Sequence, residues 1–263
     1  MYNFDYVKPG TVADAVKALG AEDSKALAGG QTFIPVLKQR LNKPSVVVDL
    51  AGLGLTGIKV TGDAVIIGAT TTHATVAASA EVARAIPALA ALAGGIGDKE
   101  VRHRGTIGGS LANNDPSACY PSAVLALGAT IITDRRQISA DDYFQGMFTT
   151  ALEPGELITG VSFPIPAKAA YIKFKNPASR YAMVGVFVAK GPKGTRVAIT
   201  GAGQGGVFRH AAFEAALAAN WSASALDGIT TPADGLNSDI HASAEYRAHL
   251  VGVIAKRAVT AAG

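Results

Sequence analysis

Ala28-Gly29-Gly30-Gln31-Thr32-Phe33-Ile34-Pro35-Val36-Leu37-Lys38 stands between Lys25-Ala26-Leu27, which reads as a short strand, and the buried strand Val46-Val47-Val48. Past the glycines, Phe33, Val36, Leu37, Arg40 and Leu41 recur at helical spacing, and Pro35 is tolerated because it falls in the first turn. Strand, glycine turn, helix, strand is the order of a β–turn–α–β unit, which predicts two parallel strands joined by a right-handed crossover. The glycines free the backbone for φ > 0 and remove the Cβ that would keep an anion away from N–H groups. The turn opens a helix, where unpaired N–H groups and the helix dipole favour negative charge.

A second stretch, Gly105-Thr106-Ile107-Gly108-Gly109-Ser110, likewise has paired glycines flanked by a hydroxyl residue and reads as a second loop. One such loop is a generic oxyanion signal. Two of them can grip both phosphates of a pyrophosphate, which points to a dinucleotide such as FAD.

Around these loops the pattern is mixed. Thr11 opens a helix closed by Gly20, with Asp14 completing a capping arrangement. Strands are expected at 57–60 and 64–68, then a helical stretch over 75–92 broken by Pro87. A helix over 120–127 and strands at 130–133, 146–150 and 157–163 follow. Pro164-Ile165-Pro166-Ala167 marks a boundary. Beyond it, 170–175, 181–189 and 195–200 read as a three-stranded antiparallel sheet, with Gly191-Pro192-Lys193-Gly194 turning between the last two strands. Helices over 210–219 and 244–258 complete the chain. The expected fold is α+β: a first domain over 1–166, with subdomains 1–55 and 56–166, and a second over 167–263.

At 263 residues, 49% hydrophobic and 17% charged, the chain is globular rather than disordered or fibrous. The net charge of +4, with no basic run interleaved with aromatics, argues against nucleic-acid binding. Cys119 is the one cysteine, so the chain holds no internal disulfide, no iron–sulfur cluster and no structural zinc of its own. The five histidines are scattered, and no metal site is expected. The first residues lack a signal-peptide pattern and no apolar run reaches the length of a membrane span, so a cytoplasmic protein is expected.

Gly201-Ala202-Gly203-Gln204-Gly205-Gly206 matches the G-x-G-x-x-G fingerprint formally. Too few residues follow it for a doubly wound sheet, and the strand before it belongs to an antiparallel meander. Asp227, the acidic residue at a plausible distance, does not end a strand. A tight structural turn is the expectation here.

The residues 28–38 resemble the first FAD motif of the medium, flavin-binding subunits of molybdenum hydroxylases, the family of xanthine dehydrogenase and carbon monoxide dehydrogenase. Val101-Arg102-His103-Arg104 leading into Gly105–Leu111 resembles the second FAD motif, and Asp239-Ile240-His241-Ala242-Ser243-Ala244-Glu245-Tyr246-Arg247 resembles the signature of that family's C-terminal domain. The resemblance implies a PCMH-type FAD-binding domain, made of a small βαβ subdomain and a larger mixed α/β subdomain, followed by a smaller C-terminal flavoprotein domain. It implies that Ala28, Gly29, Gly30, Gln31, Thr32 and Phe33, with Thr106, Ile107, Gly108, Gly109 and Ser110, wrap the pyrophosphate. Asn113 and Asp115 fall in a loop that contacts the nucleotide, and Ile158 in an apolar wall beside it. Lys173 and Tyr181 match positions that approach the isoalloxazine ring. His103 and Ser110 stand where asparagine is common, and Cys119 where an acidic residue of the adenosine part is common.

By the same resemblance, FAD is this chain's cofactor, while partner subunits carry the rest: a small one with [2Fe–2S] clusters and a large one with molybdopterin. The implied assembly is a dimer of heterotrimers delivering electrons to an external acceptor. No catalytic side chain is required of this chain, because the flavin carries the redox chemistry. Two other readings compete. A self-sufficient FAD oxidoreductase of PCMH-type architecture would need its own acid and base residues and a substrate domain, and the 239–247 signature argues against it. A module binding NAD through 201–206 is the other.

Overall fold

The computed structural model describes residues 1–263. Its first unit runs β1 (Asp5–Val7), α1 (Val12–Leu19), β2 (Lys25–Leu27), α2 (Phe33–Lys38) and β3 (Val46–Asp49). The strands form a parallel sheet in the order β1-β3-β2, with Leu27 opposite Asp49. This is the parallel pair expected from the glycine turn. Val48 of the central strand is buried with Ala15, Leu50 and Leu157 in a small core.

The second unit contains β4 (Ile58–Val60), β5 (Ala64–Gly68), α3 (His73–Ala78), α4 (Ala80–Ala85), α5 (Pro87–Gly94), α6 (Lys99–Arg104), α7 (Ile107–Asn113) and α8 (Tyr120–Leu127). It continues through β6 (Thr130–Thr133), β7 (Gln137–Ser139), α9 (Ala140–Tyr143), β8 (Phe144–Gly146), β9 (Thr149–Thr150) and β10 (Ile158–Pro164). An antiparallel sheet of order β4-β5-β10-β6-β7 carries the layer of helices. Its core includes Ile67, Val76, Leu89, Leu92, Ile107, Tyr120 and Phe163, all fully buried. Each such aliphatic side chain contributes roughly 1.5–3 kcal/mol by leaving water.

Three local expectations change. The stretch 75–92 is three helices rather than one broken at Pro87: the Ser79 hydroxyl accepts from the Val82 N–H and starts a new helix, and Pro87 then opens a third at its first position. The strand expected at 146–150 is a hairpin, β8 against β9, turning at Met147 and Phe148. Residues 105–110 are not a loop: Gly108, Gly109 and Ser110 lie in the first turn of α7.

The last unit is a sheet of β11 (Lys168–Lys175), β12 (Ala182–Gly191), β13 (Gly194–Thr200) and β14 (Phe208–Arg209), with α10 (Ala211–Ala219) and α11 (Ala244–Ala262). The expected three-stranded meander gains the two-residue β14 at its edge. Central strand β12 is buried on both faces. Val184, Val186 and Val188 pack with Ile254 and Ala258 of α11, while Phe187 and Ala189 join the core beneath α8. That double burial is what its near-continuous apolar sequence encodes. No helix is long and apolar enough to cross a membrane.

Candidate functional site

The first glycine turn leaves β2 at the carboxyl end of the parallel sheet and enters α2. None of the N–H groups of Gly29, Gly30, Gln31, Thr32 and Phe33 donates to a backbone carbonyl, and the first that does is Ile34, to the Gly30 carbonyl at 3.0 Å. Thr32, at the N-cap, makes no side-chain cap bond. Five successive donors are therefore free at a helix start, which is the arrangement that binds an oxyanion through backbone alone. Gly30 has φ +74°, a left-handed turn suited to glycine. Gly29 is required for a different reason. A Cβ there would lie 2.1 Å from the Arg104 carbonyl oxygen and 2.8 Å from Gly105 Cα, so the two motifs touch backbone to backbone.

The second motif holds its N–H groups differently. Ile107 donates to the Thr71 carbonyl at 3.1 Å and Gly108 to the Ala69 carbonyl at 2.8 Å. Gly109 donates to the Thr106 hydroxyl at 3.2 Å, and Ser110 to the Thr106 carbonyl at 3.0 Å. All four are used within the protein, so this motif does not add a second set of free amides. Its glycines serve close packing: a Cβ on Gly108 would lie 2.7 Å from Ala69 Cβ and 2.8 Å from its carbonyl. What the motif offers a ligand is side chains, Thr106 and Ser110 hydroxyls and the Asn113 amide, on the face that lines the cavity.

Between the motifs lies a cavity of about 790 Å³, a dinucleotide-sized space within the range of small-molecule sites. Ala28, Gly29, Gly30, Gln31, Thr32, Phe33, Thr106, Gly108, Gly109, Ser110, Asn113, Asp115, Ile158, Lys173 and Tyr181 all line it. Ile107 does not: its side chain is fully buried in the core, and only its backbone shares the motif. At one end, Lys173 Nζ donates to the Gly95 carbonyl at 2.8 Å, at the C-terminus of α5, and lies 3.4 Å from Cys119 Sγ. Lys173 and Cys119 therefore lie side by side in the cavity wall. Tyr181 is half-exposed there, and partial burial, with Asp115 and Cys119 nearby, raises its hydroxyl pKa.

Sequence reasoning missed two lining residues of note. His73, buried at the start of α3, packs on Tyr120 with ring centroids 5.3 Å apart. Burial, with the Arg102 charge beside it, pushes its imidazole down to about 4, so it is neutral near pH 7. Phe148, at the β8–β9 tip, also lines the cavity. The Thr71-Thr72 cap before His73 was a readable helix start; nothing in sequence pattern placed Phe148.

The 201–206 stretch is a structural turn. Gly201 has φ +81°, Gln204 N–H and its side-chain amide donate to the Gly235 and Leu236 carbonyls, both at 2.9 Å, and Asn237 Nδ2 donates to the Gly203 carbonyl at 3.1 Å. The 239–247 signature is a clamp. Buried Arg247 donates to the Met183 and Gly201 carbonyls at 2.6 and 3.0 Å and pairs with Asp239 at 2.7 Å.

A cavity floored by a glycine nest at the end of a parallel βαβ unit and walled in part by a separate antiparallel sheet has the build of a dinucleotide-binding site. Residues 2–166 match the family model described as the FAD binding domain in molybdopterin dehydrogenase, and the chain belongs to that family. It is 35% identical to the carbon monoxide dehydrogenase medium chain of Afipia carboxidovorans over 98% of this chain and 96% of that one. It is 36% identical to the nicotine 6-hydroxylase medium subunit of Paenarthrobacter nicotinovorans, with the same coverage of 98% and 96%. Among solved structures, a chain of reconstituted CO dehydrogenase from Oligotropha carboxidovorans superposes with TM-score 0.90 at 35% identity, covering 99% of this chain and 97% of that one. A chain of quinoline 2-oxidoreductase from Pseudomonas putida 86 gives 0.88 at 29% identity, covering 99% and 96%. The protein is a FAD-binding flavoprotein subunit of a molybdenum-containing dehydrogenase.

Proposed function

We propose that this subunit receives electrons from [2Fe–2S] clusters of a small partner subunit, reduced in turn by a large molybdopterin subunit, and passes them to an external acceptor. The working assembly in this reading is a cytoplasmic dimer of heterotrimers. FAD supplies the redox chemistry when bound, and the chain's own residues bind and orient it. The observation that carries the reading is the run of five free N–H groups on Gly29–Phe33, residues that line a cavity of about 790 Å³. Gly29 through Phe33 hold the pyrophosphate, with Thr106 and Ser110 adding hydroxyl donors across from them. Asn113 and Asp115 contact the nucleotide, and Ile158 forms an apolar wall. Lys173 and Tyr181 lie toward the isoalloxazine. In this reading residues 1–166 carry the phosphate cradle, and 167–263 supply the wall with Lys173 and Tyr181.

An absorption spectrum of the purified protein tests the first step. Oxidised-flavin bands are expected, and a colourless protein that binds NAD instead would overturn the assignment. Gly30→Asp places a carboxylate against the free amides and should abolish flavin retention, so normal flavin content in that variant counts against the cradle. Co-expression with candidate small and large subunits tests the assembly: a stable three-subunit complex, with cluster reduction followed by flavin bleaching, is expected. A chain that stays alone and oxidises a substrate unaided would favour a self-sufficient oxidoreductase.

A further inference from the structure

We infer that Phe148 is a stacking residue of the cavity: its ring packs on a planar heteroaromatic ring of the bound dinucleotide and strengthens its binding. This rests on the FAD reading above and deepens it. The hairpin β8–β9 belongs to none of the three larger sheets, and its tip is held by one residue. Asn114, only 1% exposed, donates through Nδ2 to the Gly146 carbonyl at 2.8 Å and to the Thr149 carbonyl at 2.9 Å. The Asn114 backbone carbonyl accepts from the Phe148 N–H at 3.1 Å. Three hydrogen bonds thus fix the tip to the end of α7, directly after Asn113.

The tip so fixed is an unusual one. Phe148 has φ +54°, a left-handed conformation that a bulky aromatic residue adopts only when its surroundings impose it. Asn114 shares that conformation, with φ +44°. The result is an aromatic side chain 56% exposed yet lining the cavity. An apolar ring kept in solvent at the rim of a ligand cavity gains by covering an apolar face of that ligand. A dinucleotide presents two such faces, adenine and isoalloxazine, and the chemistry of recognition is the same for both.

The experiment measures dissociation constants of FAD, FMN and ADP for the deflavinated full-length protein and three variants, Phe148→Ala, Phe148→Leu and Phe148→Trp. Flavin fluorescence reports the first two ligands and calorimetry the third. Phe148→Ala and Phe148→Leu should weaken FAD about tenfold, while Phe148→Trp retains wild-type affinity. A parallel loss for ADP but not FMN assigns the adenine as the stacked ring, and a loss for FMN but not ADP assigns the isoalloxazine. Asn114→Ala should reproduce the loss by releasing the tip. Unchanged FAD affinity in Phe148→Ala overturns the inference, as does full retention in Phe148→Leu, which would show that apolar bulk alone suffices. A wild-type protein that binds none of the three ligands overturns the FAD reading itself, a result distinct from a failure of Phe148 alone.

Discussion

At Gly29 a Cβ would come within 2.1 Å of the Arg104 carbonyl, backbone that cannot swing aside, whereas at Gly205 nothing lies within 4 Å. Gly29→Ala should therefore cost about 1–3 kcal/mol of stability by overpacking and weaken FAD binding by pushing the two motifs apart. Gly205→Ala should stay within about 0.5 kcal/mol with flavin binding intact. Denaturant melts and flavin titrations of the two variants check this contrast, and equal effects would contradict the motif contact. His73 yields a pH prediction from the same neighbourhood. Its folded-state pKa, about 4, lies below the ordinary 6.5, so the unfolded chain takes up the proton first as pH falls. The group costs nothing above pH 6.5, destabilises progressively between 6.5 and 4, and reaches its full penalty, roughly 3 kcal/mol, below 4. His73→Gln should flatten that part of the stability–pH curve. A curve in the variant parallel to wild type throughout would show that another group is responsible.

Elements whose boundaries are written in short apolar blocks were legible: the strands at 64–68 and 130–133 and the helix at 120–127 fall where the sequence places them. Each is bounded by glycine or a polar turn and buries a continuous or alternating face, so local pattern and tertiary demand agree. The second glycine motif is the opposite case. Adjacent glycines argue for a loop, since each costs about 1 kcal/mol relative to alanine inside a helix. The helix forms because Thr106 caps it, Ile107 and Leu111 bury themselves, and Gly108 must pass Ala69 closely, a contact no single-sequence rule foresees. The candidate site followed the same division. The residues of the two glycine motifs that line the cavity sit in nearly consecutive positions and were legible as chemistry. Asn113, Asp115, Ile158, Lys173 and Tyr181 were named only through the family resemblance, and His73 and Phe148 reach the cavity through the tertiary fold. The cap gives a test at this scale: Thr106→Ala should destabilise the protein by about 1 kcal/mol, with Thr106→Ser close to wild type. Thermal melts of both variants decide it, and an unchanged Thr106→Ala would mean that α7 is held by packing without its cap.

Across the whole molecule, strand β12 joins what the sequence divides. The boundary at 164–167 looks like a linker, but Phe187, Ala189 and Ala198 from beyond it lie in the same buried cluster as Tyr120, Val124 and Leu127 of α8. Polar ties cross the same seam: Lys173 to the Gly95 carbonyl, and the Thr200 hydroxyl to the Pro116 and Ala118 carbonyls at 3.0 and 2.6 Å. A fragment of residues 1–166 would leave this face of α8 in water, and a fragment of 167–263 would leave one face of its sheet bare. Neither half can satisfy its burial alone, so the full chain should unfold as one cooperative unit despite its two-domain pattern. Calorimetry should give a single transition, with calorimetric and van't Hoff enthalpies in agreement, and the 1–166 fragment should bind hydrophobic dye and retain no FAD. Two resolved transitions, or a fragment 1–166 that melts cooperatively with flavin bound, would show that the shared core contributes little and that the cradle stands without its C-terminal wall.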